Sequence, residues 1–567
     1  MSGRSFSLRP AKRLEGLAAY HPPVKNPHVV LPLHGTERPR AEGTHASYPD
    51  RTALSALLAK KFNVERDRVY VGAGADEVID RICRAVLDPG DEILVSRPTF
   101  EMIGHFAKLA GANVAEIEWL GGEYPVEEVL AQITPKTRIL AVVSPNNPTG
   151  LAISRTRLET LLTRLPEVLL LLDSAYVEFA DDDLTSIALE YPNAIIVRTF
   201  SKAWAIPGAR VGYALGQAAV VEWMEAAGGP YPVADRSLED AATFLVEHAE
   251  DTAAYVQTVR TERALLEAHV RTLGGSCEAS QANFVFAKIP HPHWVDDALH
   301  SLGISTRAFP KIPVVAGMRR ITCPADRDGF LRLTNALSAS IRPRAVLFDM
   351  DGVIVDVSAS YRRAISDTAA TFGVEVSSEA IATMKERGNA NNDWVVTHRL
   401  ITEAGVIASL DDVTNRFETL YQGTIDSAGL RETETLLAER ECFVKLSKHV
   451  KLGIVTGRPR RDAEFFLKKH ALDGLFETVV AMEDAALKPD PAPVRLALSL
   501  LGESHGWMIG DTPDDVRAAA GAGVIPLGYV QAGEHRERSV RALEAAGAAR
   551  ILEKIEDIER LLEEIHA

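Results

Sequence analysis

Short runs of aliphatic and β-branched residues alternate along this chain with longer stretches whose apolar positions recur every three or four residues. The runs Val69–Val71, Glu92–Ser96, Arg138–Ser144, Val168–Asp173 and Ala194–Arg198 are predicted strands, with helical stretches between them. Strands separated by helix-length segments predict an α/β fold with a mainly parallel sheet. The amphipathic pattern from Asp328 to Ile341 predicts a closing helix. Directly after it, Ala345-Val346-Leu347-Phe348 reads as a fresh buried strand that ends in an acid, Asp349. The change falls at Ile341-Arg342-Pro343-Arg344, which predicts two domains, 1–342 and 343–567, joined by a short linker. Within the second, a core of 343–357 and 451–567 would enclose a segment of about 358–450 rich in helix formers. The stretch from Val540 to Ala567 carries Leu, Ile and Glu at helical spacing and is predicted helical throughout.

Composition narrows the possible functions. At 567 residues the chain is too long for one ordinary core. Its 46% hydrophobic and 25% charged residues exclude wholesale disorder. A net charge of −16 repels a phosphodiester backbone, so nucleic acid is not an expected partner. The longest apolar runs, such as Val168 to Leu172, are too short to span a bilayer, and no membrane partner is expected. Arg4, Arg9, Lys12 and Arg13 precede no apolar core, so no secretory signal is expected. Cys83, Cys277, Cys323 and Cys442 form neither a CxxC pair nor a disulfide framework, so a reduced, cytoplasmic setting is expected.

Four segments of the first half carry candidate chemistry. Ser201-Lys202 follow a predicted strand, with Arg210 further along the same segment, SKAWAIPGAR. Alone, such a lysine is a surface cation. Asp173 ends the run LLLLD, with Tyr176 just beyond it; alone, it is a strand end. SPNNPTG (144–150) is a turn, and VYVGAGADEVIDRI (69–82) is strand, glycine turn and helix, whose first amides can hold a phosphate. Together they supply what pyridoxal phosphate requires. It needs an amine to condense with its aldehyde and a carboxylate to keep its pyridine nitrogen protonated. Donors for its phenolic oxygen and an anion pocket complete the set.

With these segments in this order, residues from about 15 to 340 resemble the fold-type I pyridoxal-phosphate aminotransferases of class I/II, and most of all the histidinol-phosphate aminotransferases. The resemblance implies a large and a small domain, with Lys202 as the cofactor-binding amine and proton shuttle and Asp173 on the pyridine nitrogen. It implies Asn147 and Tyr176 on the phenolic oxygen, Ala75, Asp76, Ser201 and Arg210 on the phosphate, and Phe100 stacked on the ring. Tyr48 resembles the tyrosine that crosses to a neighbour's cofactor, which implies a homodimer. Arg307 and Arg320 match substrate-anion arginines, whose planar forks suit carboxylate and phosphate. Arg319 reads as a surface charge, and Tyr20 as a substrate contact. The sequence departs from the family at LHGTERPR (33–40), at Ser174 and at Cys323-Pro324.

The second half carries its own set. AVLFDMDG places Asp349 and Asp351 at a strand's end, where two carboxylates so close call for a cation between them. Thr456, Lys488 and the pair Asp511 and Asp515 stand at further strand ends, which converge at the carboxyl edge of a doubly wound sheet. About residues 344 to 540 resemble the haloacid dehalogenase-like hydrolases, in the phosphoglycolate-phosphatase-like branch. The resemblance implies a Rossmann-like core with a helical cap. Asp349 is then the nucleophile and Asp351 the acid and base, with Thr456 and Lys488 on the phosphoryl oxygens. Mg²⁺ is implied at Asp349, Asp351, Asp511 and Asp515, with Asp351 giving its backbone carbonyl. A cap excludes water and reads the leaving group; Lys385, Asn391, Asn392 and Trp394 are its predicted substrate-facing residues.

A fused aminotransferase and phosphatase points to successive steps on a small phosphorylated substrate, with an amino acid as donor. The expected pair is glutamate-dependent transamination of imidazole-acetol phosphate to histidinol phosphate, then Mg²⁺-dependent hydrolysis to histidinol through an aspartyl-phosphate. The phosphatase substrate here follows from linkage, not from a motif. The alternatives are an aminotransferase or phospho-amino-acid decarboxylase of other specificity, joined to a general phosphatase or to a non-catalytic binding module.

Overall fold

The structure, a computed structural model, describes residues 6–20, 48–386, 392–531 and 536–566. The chain divides into two compact units. The first runs to Arg271 and takes in Ser276–Lys288 and Arg307–Asp326; the second holds Thr272–Gly275, Ile289–Thr306 and everything from Arg327 onward.

The main sheet of the first unit has seven strands. They are β1 (Val69–Gly72), β2 (Glu92–Arg97), β3 (Asn113–Glu118), β4 (Thr137–Val143), β5 (Leu169–Asp173), β6 (Ala194–Thr199) and β7 (Gly212–Leu215). Their order is β1-β7-β6-β5-β4-β2-β3, and β7 alone runs against its neighbours. Leu169 and Leu171 enter the core on one face of the sheet, Leu170 and Leu172 the core on the other. Burial on both faces explains the unbroken leucine run, and each such side chain contributes roughly 1.5–3 kcal/mol. The reversal at β7 needs only a short return from β6, and that return carries Ser201, Lys202 and Arg210.

A four-stranded antiparallel sheet completes the unit, in the order β10-β11-β9-β8. Its strands are β8 (Ser276–Cys277), β9 (Phe284–Lys288), β10 (Arg307–Ala308) and β11 (Met318–Thr322). Arg307 pairs directly with Arg320, so both guanidinium groups stand on one face. Arg319 falls on the other face and is 2% exposed, with Nη1 donating to the carbonyls of Ala316 and Met318. The expectation of a surface charge is therefore wrong: strand alternation turns this arginine inward, where backbone carbonyls receive it.

The second unit is built on a six-stranded, all-parallel sheet ordered β18-β17-β12-β19-β20-β21. β12 (Ala345–Phe348) lies between β17 (Lys451–Val455) and β19 (Gly506–Gly510), and β18 (Thr478–Val480), β20 (Ile525–Tyr529) and β21 (Arg550–Leu552) extend the edges. β21 corrects the all-helical expectation for 540–567. It lies between the helices Arg536–Ala546 and Asp557–His566, and pairing with β20 overrides local composition there. The helices Tyr361–Thr371, Ser378–Glu386, Asp393–Glu403 and Leu410–Gln422 form the cap region, with Ala369, Val374, Ile401 and Val413 buried among them. A two-residue ladder between β13 (Val355–Asp356) and β16 (Thr435–Leu436) joins the outgoing and returning chains. Between them β14 (Gly423–Thr424) and β15 (Ser427–Ala428) form a small hairpin.

This unit also includes the helices Pro292–Ser301 and Arg327–Ile341. The indole Nε1 of Trp507, in β19, donates to Ala339 O at 2.7 Å, and that of Trp294 to Ser340 O at 2.7 Å. The two rings meet edge to face at 5.6 Å. Among the described residues, no helix is long and apolar enough to cross a membrane.

Candidate active sites

The turn after β1 builds the first anion cradle. Gly74 (φ +86°) opens the helix Gly74–Val86, and a Cβ there would lie 2.7 Å from Arg210 Nη2. A Cβ on Gly212 would lie 2.5 Å from the amide nitrogen of Ala75. Both glycines thus keep the helix's first amides open beside a guanidinium. Arg210 is itself left-handed (φ 52°), a conformation that costs about 1 kcal/mol, and its Nη2 donates to Asp76 Oδ2 at 3.2 Å. Ser201 lies alongside in sequence, its N–H donating to Thr199 Oγ1 at 3.1 Å.

Around Lys202 the chain gathers opposed charges. Burial lowers the Lys202 pKa, Arg320 lowers it further, and Asp76 and Asp173 pull it back up. Asp173 ends β5 fully buried, and burial pushes its carboxyl up to about 6 despite the Ala175 N–H at 3.1 Å. The Lys202 ammonium lies 5.4 Å from the Tyr176 ring centre. Burial pushes the Tyr176 hydroxyl up to about 12, so it stays protonated at neutral pH. Arg320 donates from Nη1 to Asn147 Oδ1 at 2.5 Å and lies over Phe284 at 5.2 Å. Its buried Nε has no hydrogen-bond partner among the described residues.

Phe100 caps the helix Glu101–Leu109 and packs, half-buried, on the core. Tyr48 stacks on Tyr231 at 4.6 Å and 11°, and Tyr20 meets Tyr231 edge-on at 6.5 Å. No sequence signal marked Tyr231. The segment 33–40 lies outside the described residues, as does Asn391. Pyridoxal phosphate fits this set: the glycine cradle suits its phosphate, and the buried carboxylate and the amine are the two groups its ring requires.

In the second unit, three adjacent strand ends converge. Asp349 follows β12, Thr456 follows β17 and Asp511 follows β19. Lys488 Nζ donates to Asp349 Oδ1 at 2.5 Å and to Val455 O at 3.1 Å, and pairs with Asp515 Oδ1 at 2.5 Å. Burial alone would lower the Lys488 pKa, but the Asp349 and Asp515 carboxylates outweigh it and hold the ammonium charged. Burial raises the Asp349 carboxyl, and Lys488 offsets part of that. Asp515 Oδ2 accepts from Thr512 N and Oγ1 in a capping box. Carboxylate oxygens of Asp349, Asp511 and Asp515 lie within 4.8 Å of one another. A Cβ on Gly352 (φ +77°) would come 2.2 Å from Asp511 Oδ2. An all-carboxylate donor set with that clearance fits Mg²⁺.

Asp351 turns elsewhere: its Oδ1 accepts from Arg458 Nε at 2.6 Å. Asn392, Trp394 and Tyr361 of the cap region line a cavity of about 20 Å³ with Asp351, Arg458 and Met482. Asn392 also caps the helix Asp393–Glu403. Sequence reasoning gave Arg458 no role and passed over its partner Glu434. Neither carries a periodic signal, and they come together only in the fold.

Residues 15–333 match the family described as aminotransferase class I and II, and residues 346–528 match haloacid dehalogenase-like hydrolase. A histidinol-phosphate aminotransferase of Staphylococcus saprophyticus is 35% identical over 272 residues, which are 46% of this chain and 76% of that protein. An imidazoleglycerol-phosphate dehydratase of Phytophthora nicotianae is 42% identical over 220 residues, 37% of this chain. The match spans only about half, 48%, of that relative's length. A solved histidinol-phosphate aminotransferase of Sinorhizobium meliloti, in complex with pyridoxal-5'-phosphate, aligns at a TM-score of 0.46 and 21% identity, over 51% of this chain and 83% of that one.

Proposed function

Since the chain belongs to the class I and II aminotransferases and continues into a haloacid dehalogenase-like hydrolase, we propose that it is a bifunctional enzyme acting on successive phosphorylated intermediates of histidine biosynthesis. The first half, residues 1–342, moves an amino group from glutamate to imidazole-acetol phosphate. The second, 343–567, hydrolyses the resulting histidinol phosphate to histidinol. The enzyme is a cytoplasmic homodimer, with Tyr48 serving the neighbouring subunit.

Bound pyridoxal phosphate supplies the first half with an aldehyde and an electron sink. Lys202, its pKa lowered by burial and by Arg320, carries the proton away from the donor's α-carbon. Asp173 holds the proton on the pyridine nitrogen. Tyr176 donates to the phenolic oxygen, and so does Asn147 through Nδ2, since its Oδ1 is taken by Arg320. Phe100 packs on the ring. Ala75, Asp76, Ser201 and Arg210 hold the cofactor phosphate, and Arg307, Arg320 and Tyr20 hold the substrate.

In the second half, Asp349 attacks phosphorus while Asp351 gives a proton to the departing alcohol. Asp351 then takes a proton from water, which attacks the phosphoryl group and frees Asp349. The Thr456 Oγ1 accepts from Arg458 N at 3.1 Å, so its own proton is left for a phosphoryl oxygen beside Lys488. Asp349, Asp511 and the Asp351 carbonyl would hold Mg²⁺, which would supply positive charge to offset that of the substrate. Asp515, with both oxygens engaged by Lys488 and Thr512, works through them.

The observation that carries the pairing is that both halves present a phosphate-compatible charge set, Arg307 opposite Arg320 in one and Lys488 beside Asp349 and Asp511 in the other. The test supplies imidazole-acetol phosphate and glutamate together and follows histidinol and phosphate. Lys202→Ala should stop the sequence yet still hydrolyse added histidinol phosphate, and Asp349→Asn should let histidinol phosphate accumulate. Release of phosphate from unrelated esters alone would refute the pairing.

A further inference from the structure

Asp351 is surrounded by partners that the strand-end motifs do not contain. Arg458 approaches Asp351 Oδ1 twice, through Nε at 2.6 Å and Nη2 at 2.5 Å. On its other side Glu434 accepts two hydrogen bonds from the same guanidinium, Nη1 to Oε2 at 2.9 Å and Nη2 to Oε1 at 3.1 Å. Glu434 Oε1 also accepts from the Tyr421 hydroxyl at 3.2 Å and from Ser360 Oγ at 2.8 Å. The Tyr361 ring lies 4.7 Å from the guanidinium carbon. Arg458 is 1% exposed and Glu434 2%. Ser360 and Tyr361 stand where the chain leaves for the cap, and Tyr421 and Glu434 where it returns.

Burying a carboxylate–guanidinium–carboxylate chain is costly, and packed apolar residues would serve stability as well or better. What the chain gives in exchange is direction. Both contacts that Arg458 makes with Asp351 fall on Oδ1, while Asp351 borders the small cavity lined by Tyr361, Asn392 and Trp394.

We propose that Arg458, clamped by Glu434 at the root of the cap, is the positioning residue that leaves Asp351 Oδ2 as the one oxygen for proton transfer. The inference rests on the phosphatase reading of this site. In the first half-reaction Oδ2 gives its proton to the leaving oxygen as the P–O ester bond breaks and the Asp349–phosphorus bond forms. In the second it takes a proton from water as the water–phosphorus bond forms and Asp349 departs.

Leaving-group dependence tests this. In the Mg²⁺-loaded full-length protein, Arg458→Lys and Glu434→Gln are compared on p-nitrophenyl phosphate and on histidinol phosphate. The nitrophenolate leaves without a proton; the alkoxide needs one. Both variants should lose about 100-fold in kcat/KM on the alkyl ester and less than about threefold in kcat/KM on the aryl ester, because kcat/KM ends at departure of the leaving group and leaves out the water step that both esters share. Tyr421→Phe removes one donor to Glu434, keeps the ion pairs, and should show a smaller loss with the same selectivity. Melting temperatures check that the variants fold. Equal losses on both esters, or none on either, would overturn the positioning role. A wild-type chain that releases phosphate from neither would overturn the phosphatase reading with it.

Discussion

Replacing Trp507 by Phe should unfasten a helix from the phosphatase sheet by a calculable amount. Ala339 and Ser340 lie in the last turn of the helix Arg327–Ile341, where carbonyls have no partner within the helix. Trp507 and Trp294 supply those partners, each at 2.7 Å and fully inside the unit. Phe retains an aromatic ring but has no N–H. The Ala339 carbonyl is then left buried and unsatisfied, which costs roughly 1–3 kcal/mol, and the missing ring atoms add about 1 kcal/mol. With a urea slope of about 2 kcal/mol per molar, a loss of about 2–4 kcal/mol lowers the midpoint by about 1–2 M. Asp511 directly follows β19, the strand that carries Trp507, so phosphatase activity after equilibration in urea reports this unit and not the other. Trp294→Phe should behave alike. Because the two rings touch, the double variant should depart from the sum of the single effects by about 0.5 kcal/mol or more. A midpoint shift under about 0.3 M, or strict additivity, would refute the reasoning.

The Asp173 carboxyl sits near 6 in the fold against 3.8 in an unfolded chain, so the folded state binds its proton more tightly. Its contribution to the stability of the cofactor-free protein should therefore fall as pH rises from about 4 to 6. Asp173→Asn should raise the melting temperature of that form at pH 7 while cutting transamination about 100-fold. A melting temperature unchanged or lowered at pH 7 would contradict the burial argument. Two glycines separate the sites: Gly352→Ala drives a Cβ to 2.2 Å from Asp511 Oδ2 and should abolish phosphatase activity alone. Gly212→Ala closes on the Ala75 amide and should weaken cofactor binding, read by absorbance, with phosphatase activity intact.

The strands were legible where burial on both faces forces an unbroken apolar run, as at Leu169–Leu172, and the acids at their ends followed from that. The reversal of β7 was not, because direction depends on which neighbour a strand pairs with, and GYAL reads alike either way. β21 was hidden for the same reason: Arg550–Leu552 is too short to outweigh flanking helical composition until β20 offers its edge. Arg319 and Arg320 are adjacent and chemically identical in sequence; only the pleat of β11 sends one inward and the other toward Asn147. Thr456 and Asp511 were readable from strand ends, but Lys488, expected at one, stands in the loop between β18 and the helix Ala492–Leu501, and Glu434 and Arg458, 24 residues apart, share no periodicity.

The two sites handle buried charge in opposite ways, and this predicts how each depends on what it binds. At the first, Asp173 is buried, and the Ala175 amide and Lys202 offset only part of the cost of burial, so its carboxyl is pushed up. A protonated pyridine nitrogen would offset the rest, so the cofactor stabilises the fold as well as the reaction. At the second, Lys488 and Arg458 already hold four carboxylates, those of Asp349, Asp515, Asp351 and Glu434. The chain's own ion pairs fix this geometry, and Asp511 adds a further acid beside Asp349. The negative excess that remains is compact and oxygen-lined, with glycine at 352 leaving Asp511 its room, a donor set that would suit a divalent cation. Removing the cofactor should therefore loosen the first unit, whereas removing Mg²⁺ should silence the second with little change in its fold.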